Sequence, residues 1–443
     1  MNDYLTILGA GLAGSEAAWQ AAERGIPVRL YEMRPVNPTP AHKTDHCAEL
    51  VCSNSLGNNQ APTAPHLLKE ELRKFNSLVI SSGDSHAVPA GAALAVDRDF
   101  FSQDITRRLS EHPNITLIRE EVTEIPNERP VIIATGPLTS PRLSESISRL
   151  IGQEYLYFYD ALSPIVDAST IDYDKTFFAS RYDKGSDDYL NCPLNEEQYY
   201  LLVKELKEGD KVPFKSFEKP VYFEGCLPVE ELAMRGDKTL AFGPLKPVGL
   251  LHPETKKRFH AVVQLRHENK EGTAFNLVGF QTKLTYPEQK RIFRLIPGLE
   301  NAEFFRFGAI HRNTFINAPD LLTPELDLKI NSGVYFAGQI IGVEGYVESV
   351  AMGLLAALSA VMRIKGQKYV APPADTALGA LLNHVTGPAR SSYQPMNINY
   401  GLFQVPKMKN RNKRERNTKI AQTASESLAQ WMEGINREMG SVA

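Results

Sequence analysis

Tyr4-Leu5-Thr6-Ile7-Leu8-Gly9-Ala10-Gly11-Leu12-Ala13-Gly14 is a short apolar run followed by a GxGxxG turn. Each glycine in such a turn has a steric reason. The first permits the tight bend after a strand, and the second lets the main chain approach a pyrophosphate. The third lets the next helix pack close, with its positive end toward the phosphates. The spacing alone is a weak signal, but its surroundings agree with it. Tyr4 to Leu8 reads as a buried parallel strand. Gly14 to Arg24 reads as an Ala-rich helix with Gly25 at its stop, and Val28 to Glu32 as the second strand. Glu32 lies 18 residues beyond Gly14, near the ~20 expected for a carboxylate on a ribose hydroxyl. Gly9, Ala10, Gly11, Leu12, Ala13, Gly14 and Glu32 are therefore the expected nucleotide-binding residues.

Two distant elements favour FAD over NAD as the permanent occupant. Pro130 to Gly136 reads as a buried strand, and its end, with Thr135 and Gly136, resembles the "ATG" strand of two-dinucleotide-domain flavoproteins. Gly338 to Ser349 resembles their second flavin motif, through Gly338, Gln339, Gly342, Gly345 and Tyr346. There a helix N-terminus would stabilise negative charge on a reduced flavin.

Between these elements the texture varies. Arg34 to Pro65 is rich in Pro, Asn, Thr and His with little periodicity, and so long an irregular stretch is usually functional or disordered. Helices are predicted over Leu67 to Leu78 and Asp99 to Leu109. From 150 to about 300, aromatics and strand-like pieces such as Lys219 to Phe223 and Phe275 to Phe280 point to an inserted domain. The α/β texture returns at Gly333 to Gly338, followed by a small-residue helix from Glu348 to Ile364. Pro372-Pro373 reads as a linker, and Arg411 to Met439 as a polar amphipathic helix. The expected fold is α/β. A Rossmann-type FAD-binding domain in two parts, 1–149 and 305–371, surrounds an inserted α+β domain, 150–304, and a C-terminal linker and helical tail, 372–443, follow.

A chain of 443 residues suits two to three domains at roughly 150 residues each. No apolar run approaches the ~18 uncharged residues of a membrane span, and the N-terminus lacks the pattern of a signal peptide. A cytoplasmic location is expected. Four cysteines, Cys47, Cys52, Cys192 and Cys226, are too few and scattered for a disulfide framework, and their spacing makes no metal half-site. A net charge of -3 excludes whole-molecule attraction to nucleic acid. A local patch is still available, because Lys407, Lys409, Arg411, Lys413, Arg414, Arg416 and Lys419 are opposed only by Glu415.

Cys52 sits in the irregular stretch, in Glu49-Leu50-Val51-Cys52-Ser53-Asn54-Ser55, and Cys226 in Glu224-Gly225-Cys226-Leu227-Pro228, where Gly and Pro favour a loop. Both suit reactivity, whereas Cys47 and Cys192 read as structural. One chemistry joins a thiolate to a flavin: C5 alkylation of uracil. Thiolate attack on C6 makes C5 a nucleophile toward a one-carbon electrophile, and reduced flavin brings that carbon to the methyl level.

The segments from Gly9 to Ala18, around Cys52, and from Phe223 to Pro228 together resemble one family closely. So do Gly308-Ala309-Ile310-His311-Arg312-Asn313-Thr314 and Gly338 to Tyr346. That family is the methylenetetrahydrofolate and FAD-dependent tRNA (uracil-5-)-methyltransferase, TrmFO. The resemblance implies a flavoprotein that methylates a T-loop uridine in tRNA, with 5,10-methylenetetrahydrofolate as carbon donor and NAD(P)H as reductant. It makes Cys52 and Cys226 the functional thiols, without saying which attacks uracil. It makes Tyr346 an aromatic platform and turns His311 and Arg312 toward the substrate. Lys409, Arg411 and Arg414 are the candidates for tRNA phosphates. Two alternatives stand beside it: a related, longer flavoprotein family that modifies wobble uridines, and an NAD(P)H-dependent flavin oxidoreductase with a small substrate.

Overall fold

The computed structural model describes residues 3–39, 41–153, 156–183, 188–213, 227–388, 393–404 and 412–440. Its centre is a five-stranded parallel sheet in the order Val334–Phe336, Val131–Ile133, Leu5–Leu8, Val28–Glu32, Ile115–Arg119. Leu5–Leu8 is buried on both faces, which is why it reads as a continuous apolar run. The next strand in sequence, Val28–Glu32, lies on one side of it and Val131–Ile133 on the other. The turn after Leu8 therefore opens at a switch point of the sheet, where such folds bind ligands.

The helix after the turn runs Leu12–Ala22, two residues earlier than expected, and Gly14 lies inside it. A Cβ on Gly14 would sit 1.8 Å from the Gly9 carbonyl oxygen, so the helix starts against the turn itself. The long helix Tyr346–Ile364 packs across it, and a Cβ on Gly353 would lie 2.2 Å from the Ala13 carbonyl oxygen. This helix qualifies the expectation that no apolar run is of membrane length. By length and composition it could cross a membrane, yet it is buried almost throughout in the core.

A second sheet of six strands carries its own core. Its order is Phe177–Phe178, Tyr189–Leu194, Ala261–His267, Ala274–Leu277, Ile165–Asp167, Phe304–Arg306. The helix Glu196–Glu208 begins with a full capping box on Asn195 and buries Tyr199, Leu202, Val203 and Leu206 in that core. The expected strand at Phe275 to Phe280 ends at Leu277, because Gly279 turns the chain at φ 78° against Pro244. Lys219 to Phe223 lies outside the described residues. Between the two sheets, Ile310–Phe315 pairs antiparallel with Leu156–Ala161.

After Pro372-Pro373 the chain returns to the first core. The helix Ala377–Thr386 is capped by a carboxylate distant in sequence: Glu71 accepts from the Ala377 and Leu378 amides at 2.8 and 2.9 Å. The helix Lys413–Gly440 buries Ile420, Ala424, Leu428 and Trp431 in the same core.

Candidate active site

The parallel sheet ends in a cleft of about 1070 Å³, lined by Gly9, Gly11, Ala13, Glu32, Thr135, Gly136, Gly338, Gln339 and Tyr346 among others. The glycines divide the steric work as their spacing predicts. A Cβ on Gly9 would lie 2.8 Å from the Ala134 carbonyl oxygen, whereas one on Gly11 would meet nothing within 4 Å. Main chain is thus bare where a diphosphate would approach. The helices Leu12–Ala22 and Tyr346–Ile364 both start on a glycine with no side-chain cap. The positive ends of these helices favour an anion. These residues fit a dinucleotide.

Glu32 sits at the cleft edge, where it accepts from the Ala10 amide at 3.1 Å and from Arg34 Nε at 2.8 Å. Burial pushes its carboxyl up, but the Arg34 hydrogen bond and charge, with the Arg34 and Ala10 amides, outweigh that and hold it below the usual range. It is an ionised acceptor at neutral pH. Arg34 also reaches Glu49 at 3.0 Å and the carbonyls of Thr44 and His46, which gives shape to the irregular stretch. Thr135 and Thr139 share a hydroxyl hydrogen bond of 2.6 Å, and Gln339 donates to Glu344 at 2.9 Å. Gly342 and Gly345 hold φ of 83° and 113°, and a Cβ there would strike Tyr393 and Glu348.

A second cleft of about 1200 Å³ adjoins the first, and both are lined by Val51, Pro137, Leu138, Gln339 and Tyr346. Cys52 lines it and is half-buried. The Cys52 amide donates to the Tyr346 hydroxyl at 2.7 Å, joining the thiol loop to the second glycine motif. Its carbonyl accepts from Arg98 at 3.1 Å and from Arg306 at 3.0 Å. Arg98 also bonds the Leu50 carbonyl and Arg306 the Val51 carbonyl. Arg98 pairs with Glu268 at 2.6 Å, and Asn54 accepts from Arg266 at 3.0 Å. Burial and the neighbouring Arg98 push the Arg306 guanidinium down to about 10. The hydrogen bonds of Arg98 and Arg306 to this loop all end on main-chain carbonyls. They position the thiol from behind.

The other thiols differ. Cys47 is sealed, and burial pushes it up to about 11. Cys192 faces the second core, and burial pushes it up further. Cys226, Lys409 and Arg411 lie outside the described residues. His311 and Arg312 stand in the strand Ile310–Phe315, in register with Asp160 and Tyr159, and only their main chain is described. Arg414 is exposed in the first turn of Lys413–Gly440 and lines neither cleft. Among the described residues no group of three His, Cys, Asp or Glu is placed to hold a metal. Sequence reasoning missed Arg34, Arg98, Arg266, Arg306 and Asn313. The four arginines stand at no motif spacing, and Asn313, although inside the Gly308 to Thr314 motif, shows its role only where its side chain meets an open cleft.

Sheet order, glycine turn and the cleft above them define a dinucleotide-binding protein. The family described as Glucose inhibited division protein A matches residues 4–368. Solved GidA of Aquifex aeolicus, in its form I crystal, aligns with a TM-score of 0.71 over 99% of this chain and 76% of that one. At 18% identity this likeness shows the fold alone. Full-length relatives are much nearer. The methylenetetrahydrofolate–tRNA-(uracil-5-)-methyltransferase TrmFO of Syntrophus aciditrophicus (strain SB) is 56% identical over 438 residues, 99% of each chain. That of Bacillus subtilis (strain 168) is 53% identical over 424 residues, 96% of this chain and 97% of the other. The chain belongs to the TrmFO family.

Proposed function

We propose that this protein methylates C5 of a T-loop uridine in tRNA, taking the one-carbon unit from 5,10-methylenetetrahydrofolate and reducing equivalents from NAD(P)H through FAD. The observation that carries the reading is the adjoining pair of clefts, one floored by the nucleotide turn and the other lined by Cys52, with Tyr346 in both.

FAD, when bound, supplies the electrons that bring the transferred carbon to the methyl level. The residues to hold it are Gly9 to Gly14 at the diphosphate, Glu32 at the ribose, and Gly338, Gln339 and the first turn of Tyr346–Ile364 at the ring. A cysteine thiolate, from Cys52 or Cys226, attacks uracil C6 and makes C5 nucleophilic. C5 then takes the methylene carbon and gives up its proton to a base as that carbon's bond to the folate nitrogen breaks and tetrahydrofolate leaves. Addition of a hydride equivalent to the carbon then expels the thiolate as the C5–C6 double bond re-forms. Tyr346 ties the Cys52 loop to the flavin side and carries an aromatic face at the junction of the clefts. His311 and Arg312 are assigned to the substrate side. An enzyme acting on tRNA by this chemistry works in the cytoplasm.

The test supplies labelled methylenetetrahydrofolate, NADPH and unmodified tRNA, against labelled S-adenosylmethionine as rival donor. Label is expected from the folate only; transfer from S-adenosylmethionine would sink the reading. Lys409, Arg411 and Arg414 are proposed to meet tRNA phosphates. Replacing all three with Gln is expected to weaken tRNA binding and flatten its salt dependence. Unchanged affinity would remove that contact.

A further inference from the structure

The second cleft contains a polar side chain that the chemistry above leaves unused. Asn313 is only 4% exposed, yet it lines this cleft together with Cys52 and Tyr346. Its carboxamide offers two N–H donors and an acceptor oxygen, and it makes no hydrogen bond to any described residue. Other buried asparagines are used differently. Asn191 spends its amide on the carbonyls of Phe177, Ala179 and Tyr189, and Asn54 spends its own on Val96 and His267. The Nδ2 of Asn276 is sealed without a partner, whereas the amide of Asn313 opens on the cleft. A buried amide without partners is costly, so an open one within a cleft is a built place for a ligand's polar edge.

The backbone holds that amide in place. Its strand pairs along its whole length with Leu156–Ala161. On one side the Thr314 hydroxyl donates to the Pro137 carbonyl at 3.2 Å, and the Ile316 amide to the Ile340 carbonyl at 2.8 Å. Both acceptors belong to segments that border the nucleotide cleft.

We propose that Asn313 binds the reacting ring by pairing its carboxamide with a cis-amide edge, an N–H beside a C=O, of a planar heterocycle in the second cleft. The inference rests on the function proposed above, which brings two such rings here, uracil and the pterin of the folate. Asn313 accepts from the ring N–H through Oδ1 and donates to the ring carbonyl through Nδ2. Because a carboxamide can turn over, it positions the ring and does not choose between uracil and cytosine.

The test uses full-length, FAD-loaded Asn313→Leu, with Asn313→Asp as a second variant of unchanged volume that lacks the donor. Both are expected to keep their flavin and its reduction by NADPH while losing methyl transfer at least tenfold. Two arms separate the rings. If uracil is bound, tRNA carrying 3-methyluridine at the target costs the wild type at least tenfold and Asn313→Leu nothing further. If pterin is bound, tetrahydrofolate affinity by equilibrium dialysis falls tenfold in both variants, and the 3-methyluridine penalty persists. Wild-type methylation and wild-type tetrahydrofolate affinity in the variants would overturn the inference and leave the function standing. A wild-type protein that reduces its flavin but methylates nothing would take down the function, and this inference with it.

Discussion

The nucleotide turn and the Cys52 loop border adjoining clefts, yet opposite means hold them. The turn is local: strand, glycines, helix and the Glu32 carboxylate all come from one stretch, and its geometry is main chain meeting main chain. The Cys52 loop has no regular structure of its own. Its carbonyls are held by Arg98 and Arg306, and its amide by Tyr346, residues separated from it by tens to hundreds of positions. A cofactor cradle can thus be shaped by steric necessity, whereas a positioned thiol needs charged side chains brought from separate elements, Arg98 from a helix and Arg306 from the six-stranded sheet.

The largest expected effect lies in the turn. Gly14→Ala puts a Cβ 1.8 Å from a main-chain oxygen that a side-chain rotation cannot relieve. Overpacking of this kind costs about 3 kcal/mol, and the displaced helix would lose the diphosphate as well. Purified variant should be colourless and melt early. A yellow variant with wild-type melting would show that the turn tolerates what the geometry forbids.

Next come the thiols, which sharpen the contrast because Cys47 and Cys52 are near neighbours in sequence. Cys52→Ala is expected to abolish methyl transfer, by at least a thousandfold, with full flavin content. Cys47→Ala should keep activity within a few-fold and lose only packing, about 1 kcal/mol, because its sulfur is sealed. Activity assays on the pair with flavin absorbance decide it, and an active Cys52→Ala would remove that thiol from the mechanism.

Arg306→Leu is the intermediate case. It removes the hydrogen bonds to the Val51 and Cys52 carbonyls and leaves Arg98 to hold the loop. Methyl transfer should fall tenfold to a hundredfold with flavin reduction by NADPH unchanged. A matching fall in flavin reduction would mean that the arginine supports both clefts and that the contrast is too sharp.

This contrast also explains what could be read from the sequence. Gly9, Gly11, Gly14 and Glu32 were legible because sterics dictate their spacing, and Val131 to Gly136 and Gly338 to Tyr346 because similar clefts meet the same demand. Cys52 was legible through its resemblance to a family. Arg98 and Arg306 were not, since nothing in an arginine's local sequence tells whether its guanidinium faces solvent or a carbonyl 46 residues away, as Arg98 does at Cys52. Asn313 lay inside a recognised motif, but its burial without a partner exists only once the strand is folded against the cleft. For the same reason, Pro372-Pro373 does not reveal that the chain beyond it returns to the first core under a cap from Glu71.

The smallest expected effect on catalysis sits behind the loop, and pH should reveal it. Lys69 is fully buried, and its ammonium donates to the Leu56 carbonyl at 3.0 Å on the strand that follows Cys52. Burial pushes this group down to about 8, against the opposing pull of Glu348. An unfolded lysine titrates at about 10.4. Between these two values the unfolded chain binds more protons than the folded one, so stability must rise with pH through that window and level off above it. The full rise from this one group would be about 3 kcal/mol. Lys69→Met should abolish that slope, seen in urea melts at pH 7.5, 9 and 10.5, while changing turnover at pH 7.5 less than the Arg306 variant does. A slope that survives the substitution would place the ammonium in contact with water, and the support behind the Cys52 loop would then be softer than its burial implies.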